Sequence, residues 1–193
     1  AALVELQLHH NDWFVRHARR ILSERARAGQ SMADTHQQLW AVFHDNPDVT
    51  RKLRALWTLY GTDGLTPEIL IQQLEHSNTY VRAWSLRLLC DPPDFKCSTE
   101  LTQALASLAD RERDGLVRLH LASVLTKIPV GRRWAIAEGL VSQAAGADDH
   151  ALPHMIWYAV EPLVAQDKQR ALRLLVAAKI PLVRRHLARR AAD

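Results

Sequence analysis

The chain has 193 residues, of which 48% are apolar, and a formal net charge of +4. That much apolar matter excludes wholesale disorder, and the length fits one ordinary domain or one short repeat array. Two cysteines, Cys90 and Cys97, cannot make a disulfide framework, and their spacing matches no C-x2-C metal or redox motif.

Taken in chain order, the apolar spacing predicts helices over 2–9 and 13–27, then 33–44 and 49–60, then 66–75 and 79–90. Three further pairs follow at 99–109 and 115–127, 132–145 and 153–165, and 168–178 and 181–191. Strand-like alternation is scarce, and Ala, Leu, Arg, Glu and Gln favour helix. Pro67, Pro153 and Pro181 stand at predicted helix starts, where a missing N–H costs nothing. The longest loops are expected at Asp91–Lys96 and Gly146–His150.

A short motif recurs at the start of the second helix of each pair. Asp12-Trp13-Phe14-Val15-Arg16 has the same acid-to-base spacing as Asp48 to Lys52, Asn78 to Arg82 and Asp114 to Arg118. A weaker copy runs from Lys179 into Arg184, and His154 takes the basic position after Leu152-Pro153. These positions are separated by 36, 30, 36, 36 and 30 residues, at and just below the short end of the range for HEAT units. The leading Asp or Asn suits a helix N-cap. Small residues follow the basic position by three or four: Ala55, Ser85, Ala122 and Ala188. The expected fold is all-α, a right-handed HEAT-like superhelix of about six helix pairs. Residues 1–193 form one repeat domain, since no single pair has enough interior to stand alone.

Arg16, Lys52, Arg82, Arg118 and Arg184 are expected to form a structural ladder, each bonding an acid or a helix-end carbonyl in its own or the adjacent repeat. A ligand-binding row of arginines is the competing reading. The six tryptophans default to packing. Trp84 and Trp157 are also candidates for an interface, as is the basic last helix through Arg184, Arg185, Arg189 and Arg190. Residues 166–193 hold eight Lys or Arg against two acids, leaving the rest of the chain at −2. Such a tail fits a soluble capping face or an acidic partner. Charge concentrated there, and not spread along the repeats, does not favour nucleic acid.

No catalytic residue, cofactor site or metal site is expected. Ten histidines include no H-E-x-x-H and no compact Cys/His set, and there is neither a G-x-S-x-G elbow nor a phosphate-binding glycine loop. No haem-attachment sequence, signal peptide or long apolar span is present. A local disulfide and two free thiols fit the cysteines equally. The opening on an apolar helical pattern reads as a segment of a larger protein.

The stretches Asn11–Leu22, Leu53–Leu59, Val81–Leu89 and Ile156–Val164 resemble the HEAT-repeat region of large planctomycete and verrucomicrobial proteins described as membrane-bound or secreted dehydrogenases. Those proteins place this region between a sorbosone-dehydrogenase-like β-propeller and a c-type cytochrome domain. The resemblance implies a non-catalytic scaffold or interaction module of an extracytoplasmic redox protein, with neighbouring domains or another protein as partner. It implies no cofactor in this segment, no membrane insertion by it, and no binding residue carried onto this sequence. The alternatives are a free-standing protein-binding HEAT domain and a basic HEAT-like nucleic-acid-binding or DNA-glycosylase-like domain.

Overall fold

A computed structural model describes residues 2–92 and 95–192. Pro93 and Asp94, at the centre of the expected loop Asp91–Lys96, lie outside the described residues. The described chain is all-α. Its helices are α1 (Ala2–Glu5), α2 (Asp12–Arg27), α3 (Ala33–Asp45), α4 (Val49–Tyr60), α5 (Pro67–Gln72), α6 (Thr79–Leu89), α7 (Thr99–Arg111), α8 (Gly115–Leu125), α9 (Trp134–Val141), α10 (Leu152–Gln166), α11 (Lys168–Ala177) and α12 (Pro181–Ala192). Short 3-10 turns complete α1 at Leu6–Leu8 and α5 at Gln73–Glu75, so both predicted spans end in tighter winding than an α-helix.

The repeated motif starts helices by one mechanism. Asp48, Asn78 and Asp114 have extended backbones, and each side chain accepts a hydrogen bond from the amide two residues on. In the first copy the cap is Asn11, not Asp12. Asp12 is already helical, so its spacing to Arg16 is shifted by one residue from the cap-to-base spacing elsewhere. Ser98, Thr66 and Asp167 cap α7, α5 and α11.

The chain divides into two compact units, Ala1–Gln73 and Leu74–Asp193. In the first, α3 packs on α4, α2 on α4 and α1 on α3. In the second, α7 packs on α9 and α9 on α11, while α6 packs on α8, α8 on α10 and α10 on α12. Within each unit, first helices therefore stack on first helices and second on second, in two layers, as in an α-solenoid. The core of each layer is leucine-rich: Leu105, Leu108, Leu121, Leu125, Leu140 and Leu163 are fully buried.

The small residues behave differently along the array. Ala55, Ser85 and Ala122 are fully buried, but Ala188 on α12 is exposed. One side of α12 is thus uncovered at a position that lies inside the packing at Ala55, Ser85 and Ala122.

The helix expected over 132–145 is shorter. A 3-10 turn at Val130–Arg132 precedes α9, and the helix stops at Val141. Leaving the helix there lets Gln143 turn back, so that its amide donates to the carbonyls of Ala109 and Asp110 at the end of α7. Within α9, Gly139 lies against the same helix end. A Cβ there would come within 2.6 Å of Asp110 Oδ1 and 2.9 Å of the Ala109 carbonyl carbon. Gly139→Ala is therefore expected to destabilise by about 1–3 kcal/mol through overpacking. Gly115→Ala, where a Cβ meets nothing within 4 Å, is expected to cost nothing. Urea midpoints for the two variants test the contrast.

Candidate functional site

The basic side chains of the motif go mainly to helix C-termini, where the last carbonyls of a helix have no internal partner. Lys52 Nζ donates to the carbonyls of Phe43 (2.6 Å) and His44 (2.8 Å) at the end of α3. Arg82 donates to the carbonyls of His76 (2.9 Å) and Ser77 (3.0 Å) and holds both carboxylate oxygens of Glu112, at 2.8 and 3.1 Å. Arg118 is fully buried. It reaches the Leu140 carbonyl at 2.8 Å and Gln143 Oε1 at 3.0 Å, with the Glu112 carbonyl at 3.5 Å.

Arg16 and Arg184 stand apart. Arg16 is exposed and pairs with Asp12 on its own helix at 2.6 Å. Its shift from the Asn11 cap turns it away from the neighbouring helix end, and the buried Val15 occupies the cap-plus-four position. Arg184 is exposed and has no ion pair among the described residues.

Several side chains outside the motif do the same work. Arg54, from α4, donates to the carbonyls of Gln7 and His9 and lies 3.3 Å from Asp12. Arg133 is buried and donates to the carbonyls of Thr126 and Ile128 after α8, and to that of Ala159 within α10. Lys127 donates to the Cys90 carbonyl, the last turn of α6, at 2.7 Å. In sequence these residues carry no periodic signal.

The candidate interface residues fall in different places. Trp84 is half-buried on α6 with the Arg87 guanidinium 4.9 Å over its ring. Trp157 is half-buried on α10 and stacks on His186 of α12, centroids 5.1 Å apart. Arg190 is tied to Glu161 of α10 at 2.8 Å. Arg189 is exposed. Arg184 and Arg185 line a groove of about 620 Å³ formed by α11 and α12. Its apolar wall is Leu175, Val176, Pro181 and Ala188, and Lys179 adds a third cation. Val176 is 78% exposed and adds apolar surface to this groove.

Comparison with family models, with curated proteins and with solved structures returned no match.

A second cleft, about 300 Å³, gathers Arg87, Cys90, Asp91, His120, Ser123 and Lys127 where α6 and α8 end. Burial pushes the Cys90 thiol up to about 12, with Lys127 acting weakly the other way, so it is not a thiolate at neutral pH. Burial, helped by the Arg87 charge, also lowers the His120 pKa. Both cysteines are free thiols. Among the described residues no group of three His, Cys, Asp or Glu is placed to hold a metal ion, and no helix is long and apolar enough to cross a membrane.

Glu112 is the acid on which the ladder turns. Burial opposes its charge, but hydrogen bonds from Arg82 and from the Asp114 and Arg113 amides outweigh burial and hold its pKa below the usual carboxylate value. A carboxylate with a depressed folded-state pKa adds stability above the unfolded pKa, about 4.3, and loses it as pH falls toward the folded value. The chain is therefore expected to weaken between about pH 5 and pH 3. Glu112→Gln should cost about 1–3 kcal/mol at pH 7 and show a shallower acid loss. Urea unfolding at pH 7 and pH 3.5 measures both; an equally steep loss in the variant would assign it to other carboxylates.

Proposed function

We infer that this chain is a HEAT-type α-solenoid module whose work is to dock a neighbouring domain or a partner protein. The supporting observation is the contrast along the array. The position three or four residues past the motif base is buried in the copies at Ala55, Ser85 and Ala122, whereas at Ala188 it opens onto an apolar groove rimmed by cations.

Two features support the HEAT type. The packing is first helix on first and second on second. The second helices begin on one capped motif that recurs at intervals of 36 and 30 residues. An acidic partner suits the groove, because Lys179, Arg184 and Arg185 line it without an acid among the lining residues. Apolar contact with Val176 and Leu175 would supply the burial, and the charges the orientation.

The motif resemblance to the HEAT region of multidomain dehydrogenases supports a redox protein outside the cytoplasm as the larger setting. There this segment holds domains together and leaves the chemistry to them.

Hydrogen exchange tests the docking role. The 193-residue chain alone is compared with the same residues inside the intact parent protein. Slower exchange across α11 and α12 is expected in the intact protein. Equal protection there and around Trp84 and Trp157 would reduce the module to a passive spacer.

A further inference from the structure

The face of α2 carries a feature that neither the ladder nor the docking groove uses. Arg16, Arg19, Arg20, Ser23, Glu24 and Arg27 line one cleft of about 450 Å³. They recur at i, i+3, i+4, i+7, i+8 and i+11, which puts them on one face of the helix.

Arg19 is the unusual member. Its guanidinium sits 5.2 Å over the Trp57 ring, and its Nε is buried without an acceptor. Among the described residues no hydrogen bond or ion pair reaches it. Burial is the main influence on it and lowers its pKa. Asp12, the carboxylate whose field acts on Arg19, is already held by Arg16 at 2.6 Å and by Arg54 at 3.3 Å. Glu24 is exposed and lies 3.5 Å from Arg20.

Four guanidinium groups thus share one cleft with a single carboxylate, and the most desolvated of them lacks an acceptor. Arg82 and Arg133 are saturated with carbonyls or acids, and Arg118, whose Nε is likewise buried without an acceptor, has both terminal nitrogens bonded. Arg19 has no acceptor at any nitrogen among the described residues. An oxyanion is the species that such a cleft is short of. Several forked donors converging on one volume suit a tetrahedral phosphate oxyanion better than a planar carboxylate, which one or two forks would satisfy. The Trp57 ring fixes the Arg19 plane in advance, which lowers the ordering cost of binding.

We propose that the α2 cleft is a phosphate-binding site, with Arg19 as its central ligand, Arg16 and Arg20 as flanking ones, and the Ser23 hydroxyl as an added donor. The phosphate belongs either to a small phosphorylated molecule or to a nucleic-acid backbone; the recognising chemistry is the same.

The test titrates the ¹⁵N-labelled chain with inorganic phosphate, then with tripolyphosphate, at ionic strength held constant with chloride, following the arginine side-chain N–H resonances. Saturable shifts centred on Arg19 are expected, with tripolyphosphate binding more tightly. Arg19→Gln should weaken binding by about tenfold or more, whereas Arg25→Gln, on the opposite face of α2, should leave it unchanged. Thermal melts of both variants establish that they fold.

A single-stranded 12-mer oligonucleotide supplies the other arm. Tighter binding than tripolyphosphate, falling steeply with salt and abolished by Arg19→Gln, names a phosphodiester backbone as the source. Weaker binding than tripolyphosphate names a small phosphorylated ligand. Equal shifts in chloride and phosphate, or full binding by folded Arg19→Gln, would overturn the site.

Discussion

Short helices stacked side by side have one problem that apolar packing cannot solve. Each ends in carbonyls with no partner within the helix, and stacking pushes those ends out of water. This chain answers it with long basic side chains sent from a neighbouring helix. Lys52 serves the end of α3, Arg82 the turn before α6, Lys127 the end of α6, Arg133 the end of α8, and Arg118 the end of α9. Gln143 serves the end of α7 with a neutral amide. A cation at that end also meets the negative pole of the helix dipole.

That arrangement explains why the motif pairs a cap with a base. The Asp or Asn fixes where the second helix starts, and the residue four positions later then points back at the end of the first at Lys52 and Arg82, while Arg118 reaches on to the end of α9. Both ends of one inter-helix turn are satisfied by a five-residue stretch. Where the cap moves by one residue, at Asn11, the base no longer reaches, and Arg54 from α4 takes over the carbonyls of Gln7 and His9. Burying a guanidinium such as Arg118 is costly, and the cost is met only because its terminal nitrogens have acceptors in place. The same interactions therefore fix the register of one repeat against the next.

Much of this was legible in the sequence, for a physical reason. N-caps, prolines at helix starts and 3.6-residue periodicity are local, so twelve helix positions could be read with ends off by only a few residues at most sites. The basic positions at Lys52, Arg82 and Arg118 were legible because they recur with the caps. Non-local partners were not. Nothing in the sequence says that Gln143 will leave α9 early to bond Ala109, or that Arg133 will bridge to Ala159, since each bond joins residues more than 25 apart. Arg16 finds an acid of its own repeat, Asp12, as that spacing suggests, but reaches no helix end, because the cap that sets the geometry is one residue earlier. Arg19 gave no sign at all, because one arginine in an arginine-rich helix looks like a solvated face until its missing acceptor is seen. The openness of α12 is equally a property of packing, visible only when Ala188 is compared with Ala122.

The dependence of the stack on charged helix-end contacts is tested most directly by Arg118→Met, which keeps the bulk of the side chain and removes its donors. Equilibrium urea unfolding with amide hydrogen exchange reads the outcome. A loss of about 1–3 kcal/mol is expected, with the fall in protection centred on the end of α9 and the end of α7, where Leu140 and Gln143 lose their partner. Stability within about 0.5 kcal/mol of the parent and unchanged protection at those ends would contradict it, and would leave apolar packing as the sole support of the stack.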